Sequence, residues 1–308
     1  MTAALAEHYD TVGPLDRPFE AAVADLDEGT RTRIGAIVLL GTEGIGARVL
    51  AQLPGVAMLC CLGSGYDGID LAVAAELGVT VTHSPGANAA SVADLALALA
   101  IECARDIPRL RRHLHAGEWN GLAGARPEGR PGLTDRNLGI YGLGMIGRKI
   151  AVRALACEMH VGYHGRHRYV DVAYPHFGSL RELAAWSDVL VLAARADAAN
   201  HHIVDREVLR ALGGGSYLVN VARGSLVDEV ALIEALQQGT IAGAGLDVYE
   251  SEPRPPAALL ALPNVALTPH IGGVTTEART NMESTVLANL AAHFAGLPPP
   301  YPVQRRRH

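Results

Sequence analysis

The stretch "YGLGMIGRKI", Tyr141 to Ile150, restricts the fold more than any other part of the chain. Glycines at 142, 144 and 147 fall in G-x-G-x-x-G spacing, directly after the apolar run "NLGIY" and directly before a helix-like segment. Each glycine has its own physical reason. Gly142 permits a tight turn, Gly144 lets the backbone approach a pyrophosphate, and Gly147 lets helix and strand pack closely. The helix N-terminus that follows, with Met145 and Ile146 on its edge, offers free N–H groups to phosphate oxygens. The unit is therefore strand, turn, helix within a parallel sheet. "GTEGIG", Gly41 to Gly46, is also glycine-rich but has the wrong spacing and reads as a plain turn.

The same β-α-β alternation repeats on both sides of this motif. Strands are expected at "IGAIVLL", "VAMLCCL" and "VTVTH", with helices at "ARVLAQL" and "LAVAAEL" between them. A long helix follows through "VADLALALAIECARDIPRLRRHLHAGEW", with Ser91 as its cap and Pro108 kinking or interrupting it. A Gly, Pro and Arg loop at Asn120 to Pro131 separates this from a larger series with strands at "HVGYH", "DVLVLAA", "SYLVNVA", "IAGAGLDV" and "NVALTPH". The fold class is thus α/β, with two doubly wound, Rossmann-like parallel-sheet units. A final helix, about 276–294, precedes "LPPPYPVQRRRH", which suggests a tail along the surface.

In a dinucleotide-binding unit a carboxylate near the end of the next strand usually holds the ribose 2′-hydroxyl. Here that position is His164, followed by Gly165, Arg166, His167 and Arg168. Without the carboxylate a 2′-phosphate meets no repulsion, and Arg166 offers a planar fork of donors to a phosphate dianion. The turn reads as built for NADP, with NAD as the weaker alternative.

The rest of the composition limits partners. A hydrophobic fraction of 49% in 308 residues provides ample core, and a net charge of −6 gives no support to a nucleic-acid or anionic-membrane partner. "MTAALAEHYD" lacks the basic then apolar run of a signal peptide, and the apolar stretch Leu95 to Ile101 is too short to span a bilayer, so a cytoplasmic protein is expected. Cys60, Cys61, Cys103 and Cys157 form no C-x-x-C or secreted pattern and are read as reduced thiols. His160, His164 and His167 lie close in sequence, but alternating strand faces separate two of them and no ligand set is completed. No metal is expected.

Three polar segments end predicted strands, at the edge where open α/β sheets bind ligands: "NVARGSLVD", "GLDVYESEP" and "LTPHIGG". Arg223 can fix a carboxylate and polarise a neighbouring carbonyl, while His270 held by Glu252 can supply a proton near neutral pH. Together they suit reduction of a 2-oxo acid.

With "GSGYDGIDL", "SPGANAASVADLALAL", "GLGMIG", "YHGR", "NVARGSLVDE", "AGAGLDVYESEP" and "PHIGG" in view, the chain resembles the D-isomer-specific 2-hydroxyacid dehydrogenases over about 34–303. Within that family it is similar to the NADP-preferring glyoxylate and hydroxypyruvate reductases. The resemblance implies a discontinuous substrate domain, 1–92 with 277–308, around a dinucleotide-binding domain, 93–276, and a homodimer. It implies that Arg223 binds the substrate carboxylate and keto oxygen, that His270 is the acid and base, and that Glu252 orients His270 and raises its pKa. It places Asp247 at the nicotinamide carboxamide, adds Val221 and Gly272 to the cofactor surface, and lets the Ser64 and Gly65 backbone receive the substrate carboxylate. Arg195 stands where the family commonly has Pro, as a second 2′-phosphate ligand or a surface residue; Ser64 stands where it often has Val. A small 2-oxo acid is the expected substrate, with a larger 2-keto acid or a corepressor-like, dinucleotide-sensing role as alternatives. Formate oxidation is disfavoured, since that branch has Gln in place of Glu252.

Overall fold

The computed structural model describes residues 1–13, 18–119 and 131–303. The basic tail end and all but Pro131 of the 120–131 loop lie outside the described residues. Two compact units are present, Met1–Asn88 with Val274–His308, and Ala89–Gly273. The chain passes between them at 88/89 and 273/274, where helices begin or are about to begin, a few residues before the sequence-based limits of 92/93 and 276/277.

The smaller unit opens with short helices α1 (Thr2–Ala6), α2 (Phe19–Ala24) and α3 (Glu28–Arg33). A parallel sheet follows, β1 (Ala36–Leu40), β2 (Met58–Leu62) and β3 (Thr80–Thr82) in that order, linked by α4 (Ala47–Leu50) and α5 (Leu71–Glu76). The strict alternation of β2 decides its packing. Leu59 and Cys61 join Ile37, Leu39, Val49 and Val81 on one face, while Met58 and Cys60 face Val286 and Leu290 of the last helix on the other. The two adjacent cysteines thus point to opposite faces, and all four cysteines are free thiols.

The larger unit begins with α6 (Ala89–Arg105) and α7 (Ile107–His115). Two expectations are corrected here. Ser91 does not cap the helix; it lies inside α6 and its buried hydroxyl donates to the Gly272 carbonyl at 2.5 Å. The break falls at Asp106, in the left-handed region with φ +53°, and not at Pro108. Pro108 sits in the first turn of α7, where its missing N–H costs nothing.

Beyond them run β4 (Asn137–Tyr141), α8 (Met145–Ala156), β5 (His160–His164), α9 (Leu180–Trp186), β6 (Val189–Leu192), α10 (Arg206–Leu212), β7 (Tyr217–Asn220), α11 (Glu229–Gln237), β8 (Gly243–Leu246), α12 (Ala257–Leu260) and β9 (Val265–Leu267). These six strands make one parallel sheet in the order β5-β4-β6-β7-β8-β9. Their side chains alternate between two cores, one with α6 and α8 through Ile140, Val191 and Val219, the other with α9, α10 and α11 through Leu190, Leu192 and Leu218. The chain leaves β4 for β5 on one side and returns to β6 on the other, so a crevice opens at the C-terminal end of β4. The closing helix α13 (Thr276–Phe294) belongs to the smaller unit. Among the described residues no helix is long and apolar enough to cross a membrane.

Candidate active site

β8 ends at Leu246, and the next residue, Asp247, is only 2% exposed although charged. A buried carboxylate must be well supplied with donors. Its Oδ1 accepts from the Thr268 hydroxyl at 2.7 Å and the Ile271 N–H at 2.8 Å, and its Oδ2 from the Gly272 N–H at 2.8 Å. Its carbonyl accepts the His270 N–H at 2.9 Å. These bonds fold the 268–272 turn around Asp247 and hold His270 in the left-handed region, φ +53°, a conformation that costs a non-glycine residue about 1 kcal/mol or more.

The His270 ring meets Glu252, its Nδ1 lying 2.7 Å from Oε2. Glu252 Oε1 accepts the Tyr249 N–H at 3.0 Å, which fixes the carboxylate plane. With Nδ1–H donated to Glu252, Nε2 is the nitrogen that exchanges a proton with a ligand. The Glu252 hydrogen bond, aided by its charge, raises the His270 pKa above the ordinary 6.5, against burial and the opposing charge of Arg223. Burial pushes the Glu252 carboxyl up, but hydrogen bonds from His270 and Tyr249 and the charges of His270 and Arg223 outweigh it and hold the carboxyl lower than usual.

Arg223 follows β7 in a turn built by Asn220, a residue 1% exposed. The Asn220 Nδ2 donates to the Arg223 carbonyl at 2.9 Å and its Oδ1 accepts the Ala222 N–H at 3.0 Å. Gly224 lies so close to the 249–250 backbone that a Cβ there would sit 1.9 Å from the Tyr249 carbonyl carbon. Glu229, buried on the first turn of α11, accepts the Glu250 N–H at 2.7 Å, and burial pushes its carboxyl pKa up. The turn bearing Arg223 and the segment bearing Glu252 are thereby pressed together, and Arg223, Glu252 and His270 converge at one sheet edge.

Asn220, Gly224, Glu229 and Thr268 are therefore parts of the site that the sequence reading did not single out. Asn220 left a signal, a lone amide at the end of an apolar strand. Glu229 left none, since an acid in a first helical turn is ordinary.

The crevice at β4 fits a dinucleotide phosphate. Gly142 has φ +98°, and a Cβ on it would lie 2.5 Å from Ala194; one on Gly147 would lie 2.2 Å from the Gly142 carbonyl oxygen. Around Gly144, the N-cap of α8, a Cβ would meet nothing within 4 Å, so the backbone is open to an approaching anion at the helix N-terminus. Met145 is exposed, Ile146 half-buried, and Val221 buried at the end of β7. Gly272 fits tightly, since a Cβ there would lie 2.9 Å from Asp247 Oδ2.

Beside the crevice, Gly142 N–H donates to the His164 carbonyl at 2.9 Å, which brings the 165–168 turn to the edge of the loop. His164 is turned inward, its Nδ1 2.9 Å from the Phe177 carbonyl and its ring stacked on Tyr141 at 5.9 Å. Gly165 is half-buried, whereas Arg166, His167 and Arg168 are exposed. Arg166 is ion-paired with Asp197, on the loop after β6. Arg195 on that loop is exposed, and its carbonyl accepts from Asn200 at 2.9 Å. In the first turn of α8, Arg148 pairs with Asp171 at 2.8 Å and stacks over Tyr169 at 4.5 Å.

In the smaller unit the Ser64 hydroxyl donates toward the Ser84 carbonyl at 3.1 Å and Asn88 Oδ1 at 2.9 Å, and the Ser64 carbonyl meets His83 Nδ1 at 3.0 Å. Gly65 is packed so tightly under Gly41 that a Cβ on Gly41 would lie 1.8 Å from the Gly65 carbonyl oxygen. His160, His164 and His167 do not form a ligand group. Among the described residues, one group brings three metal-type ligand atoms within 4.8 Å, His201, His202 and Glu250, where Glu250 Oε1 lies 2.7 Å from His202 Nε2.

Residues 97–272 match the family described as D-isomer specific 2-hydroxyacid dehydrogenase, NAD binding domain. The chain is 39% identical to glyoxylate/hydroxypyruvate reductase A of Arabidopsis thaliana, over 87% of this chain and 85% of that one. It is 38% identical to 2-ketogluconate reductase of Gluconobacter oxydans, over 85% and 83%. An NADPH-dependent glyoxylate/hydroxypyruvate reductase from Sinorhizobium meliloti, solved with NADP and malonate, is 36% identical with TM-score 0.88, covering 100% of this chain and 95% of that one.

Proposed function

Because the chain belongs to the D-isomer specific 2-hydroxyacid dehydrogenase family, we propose that it reduces a small 2-oxo acid of the glyoxylate or hydroxypyruvate type to the D-2-hydroxy acid, with NADPH. The observation that carries this is the convergence of a guanidinium, a carboxylate and an imidazole at the sheet edge, with Glu252 2.7 Å from His270. A dinucleotide held at the glycine loop of Gly142, Gly144 and Gly147 would supply the hydride for the substrate C2. Arg223 binds the substrate carboxylate and draws electron density from the keto oxygen. His270, held by Glu252, gives its Nε2 proton to that oxygen as it becomes a hydroxyl. In the reverse direction neutral His270 takes the proton back. Asp247 holds the turn beneath His270 and has acceptor capacity left for the nicotinamide carboxamide. Met145, Ile146 and the three glycines face the pyrophosphate, with Val221 and Gly272 completing that surface. Arg166 leads the 2′-phosphate contact, with Gly165, His167, Arg168 and Arg195 around it, and NADH is the weaker cofactor. The Ser64 and Gly65 backbone is the carboxylate-binding element of its own unit. We further propose a cytoplasmic homodimer, whose mass by light scattering should be twice 32.3 kDa.

A larger 2-keto acid is the second reading, favoured by 38% identity to a 2-ketogluconate reductase and 37% to a hydroxyphenylpyruvate reductase of Plectranthus scutellarioides. A panel of glyoxylate, hydroxypyruvate, 2-ketogluconate and hydroxyphenylpyruvate with NADPH and NADH separates the two by kcat/KM. Arg223→Ala and His270→Ala should each lower reduction by at least about two orders of magnitude while cofactor affinity stays near wild type. Near wild-type kcat/KM in either variant would remove that residue from the mechanism.

A further inference from the structure

Arg166 already has a counter-charge, and that counter-charge is built to stay. Its partner Asp197 is the N-cap of a 3-10 turn, Ala198–Asn200, closed by a reciprocal capping box. Asp197 Oδ1 accepts the Ala199 N–H at 3.1 Å, and the Asn200 Oδ1 accepts the Asp197 N–H at 2.8 Å. Asn200 is itself 4% exposed and donates to the Arg195 carbonyl at 2.9 Å and toward the Tyr141 hydroxyl at 3.4 Å. The Asp197 carboxylate is therefore anchored, through Asn200, to a buried tyrosine of β4. Arg166 is the less anchored partner, a long side chain with 44% exposure on a surface turn.

The two residues rise from β5 and β6, the strands that flank β4, so they stand on either side of the glycine loop. A phosphate dianion that reaches Arg166 therefore comes close to a fixed negative charge and competes with it for the same guanidinium. A ribose with a free 2′-hydroxyl meets no such repulsion, and a carboxylate is a good acceptor for that hydroxyl. We propose that Asp197 is a specificity-determining residue that weakens the preference for a 2′-phosphorylated dinucleotide and keeps the non-phosphorylated one usable. The usual ribose acceptor at the end of β5 is replaced here by His164, and Asp197 supplies a carboxylate from the neighbouring loop instead. The proposal rests on Arg166 being the 2′-phosphate ligand.

The test is a binding measurement on the full chain. Titration calorimetry with NADPH, NADH, 2′,5′-ADP and 5′-AMP is compared between wild type, Asp197→Asn, Arg166→Ala and the double variant. Asn is chosen because it caps a turn as well as Asp and removes only the charge. Asp197→Asn should bind NADPH and 2′,5′-ADP about two- to fivefold more tightly and should not gain affinity for NADH or 5′-AMP. The gain should shrink as salt is raised, and should be smaller in the Arg166→Ala background, where the competition for the guanidinium is gone and only the direct repulsion remains. Unchanged or weaker binding of 2′,5′-ADP in Asp197→Asn, with Arg166→Ala still selectively losing it, would overturn the proposal and leave the Arg166 assignment standing; weaker binding would make Asp197 an orienting residue for Arg166. Equal loss of both cofactors in Arg166→Ala would overturn the assignment itself and the proposal with it. A near-ultraviolet dichroism spectrum like wild type confirms that each variant is folded.

Discussion

His270 is pulled in opposite directions by its neighbours: the Glu252 hydrogen bond raises its pKa above 6.5, while burial and Arg223 lower it, and the carboxylate wins. Reduction requires the protonated ring, so kcat/KM for the oxo acid should be high at acidic pH and fall as pH rises through a value above 6.5. Glu252→Gln keeps the shape but removes the charge, and should move that fall to lower pH. A pH–rate profile that does not move would take Glu252 out of the mechanism. Stability has two limits: the His270 contribution is present below the unfolded histidine pKa of about 6.5 and is lost as pH rises through the raised folded value, while the Glu252 contribution is lost as pH falls through its lowered folded value. At this scale the grouping of Arg223, Glu252 and His270 was legible, because they are polar residues where a core strand runs out. Their supports were not. Glu229 acts on Glu250, 21 residues away, and Asp247 on Gly272, 25 away, so their roles exist only once strands β7 to β9 are side by side.

Glycine makes the turns that carry this chemistry, and two of them belong to different crossings. At the β4–α8 turn, Gly142→Ala would combine φ +98° with a Cβ 2.5 Å from Ala194, and backbone cannot step aside. We expect a loss of about 2 kcal/mol or more in stability and of dinucleotide binding, read by denaturant melts and titration. At the crossing of the Arg223 turn and the Tyr249 segment, Gly224→Ala should separate Arg223 from Glu252. Activity should then fall while 5′-AMP still binds, and normal activity would disprove the crossing. The strands were legible as elements because their apolar runs are short and bounded. The division between α6 and α7 was not, because it depends on Asp106 taking φ +53°, whereas Pro108, the more conspicuous residue, is comfortable in a first turn. Ser91 misled for a related reason: a serine near a helix start looks like a cap, yet here its hydroxyl bonds the Gly272 carbonyl 181 residues away.

Over the whole molecule, each unit has its own cores, and the proposed dinucleotide crevice is carried by Ala89–Gly273 alone. A ligand that binds only the folded state stabilises it by about 2.7 kcal/mol at one hundred times its Kd. NADPH should therefore raise the melting temperature more than NADH at equal concentration, and Arg166→Ala should bring the two shifts together. Identical shifts in wild type would argue against a 2′-phosphate site. The division into units carries a different consequence for the ribosome. One face of the first sheet, with Met58 and Cys60, is covered by Val286 and Leu290 of α13, which come much later in the chain. At roughly 5–20 residues per second, tens of seconds separate the emergence of β3 from that of its cover. Throughout that interval the nascent chain holds an apolar face that only Met1, Leu5 and Tyr9 can partly cover while the inserted unit is still being made. Factors that shield nascent chains should matter most here, and a message cut short before residue 276 would release a product that can never close that face.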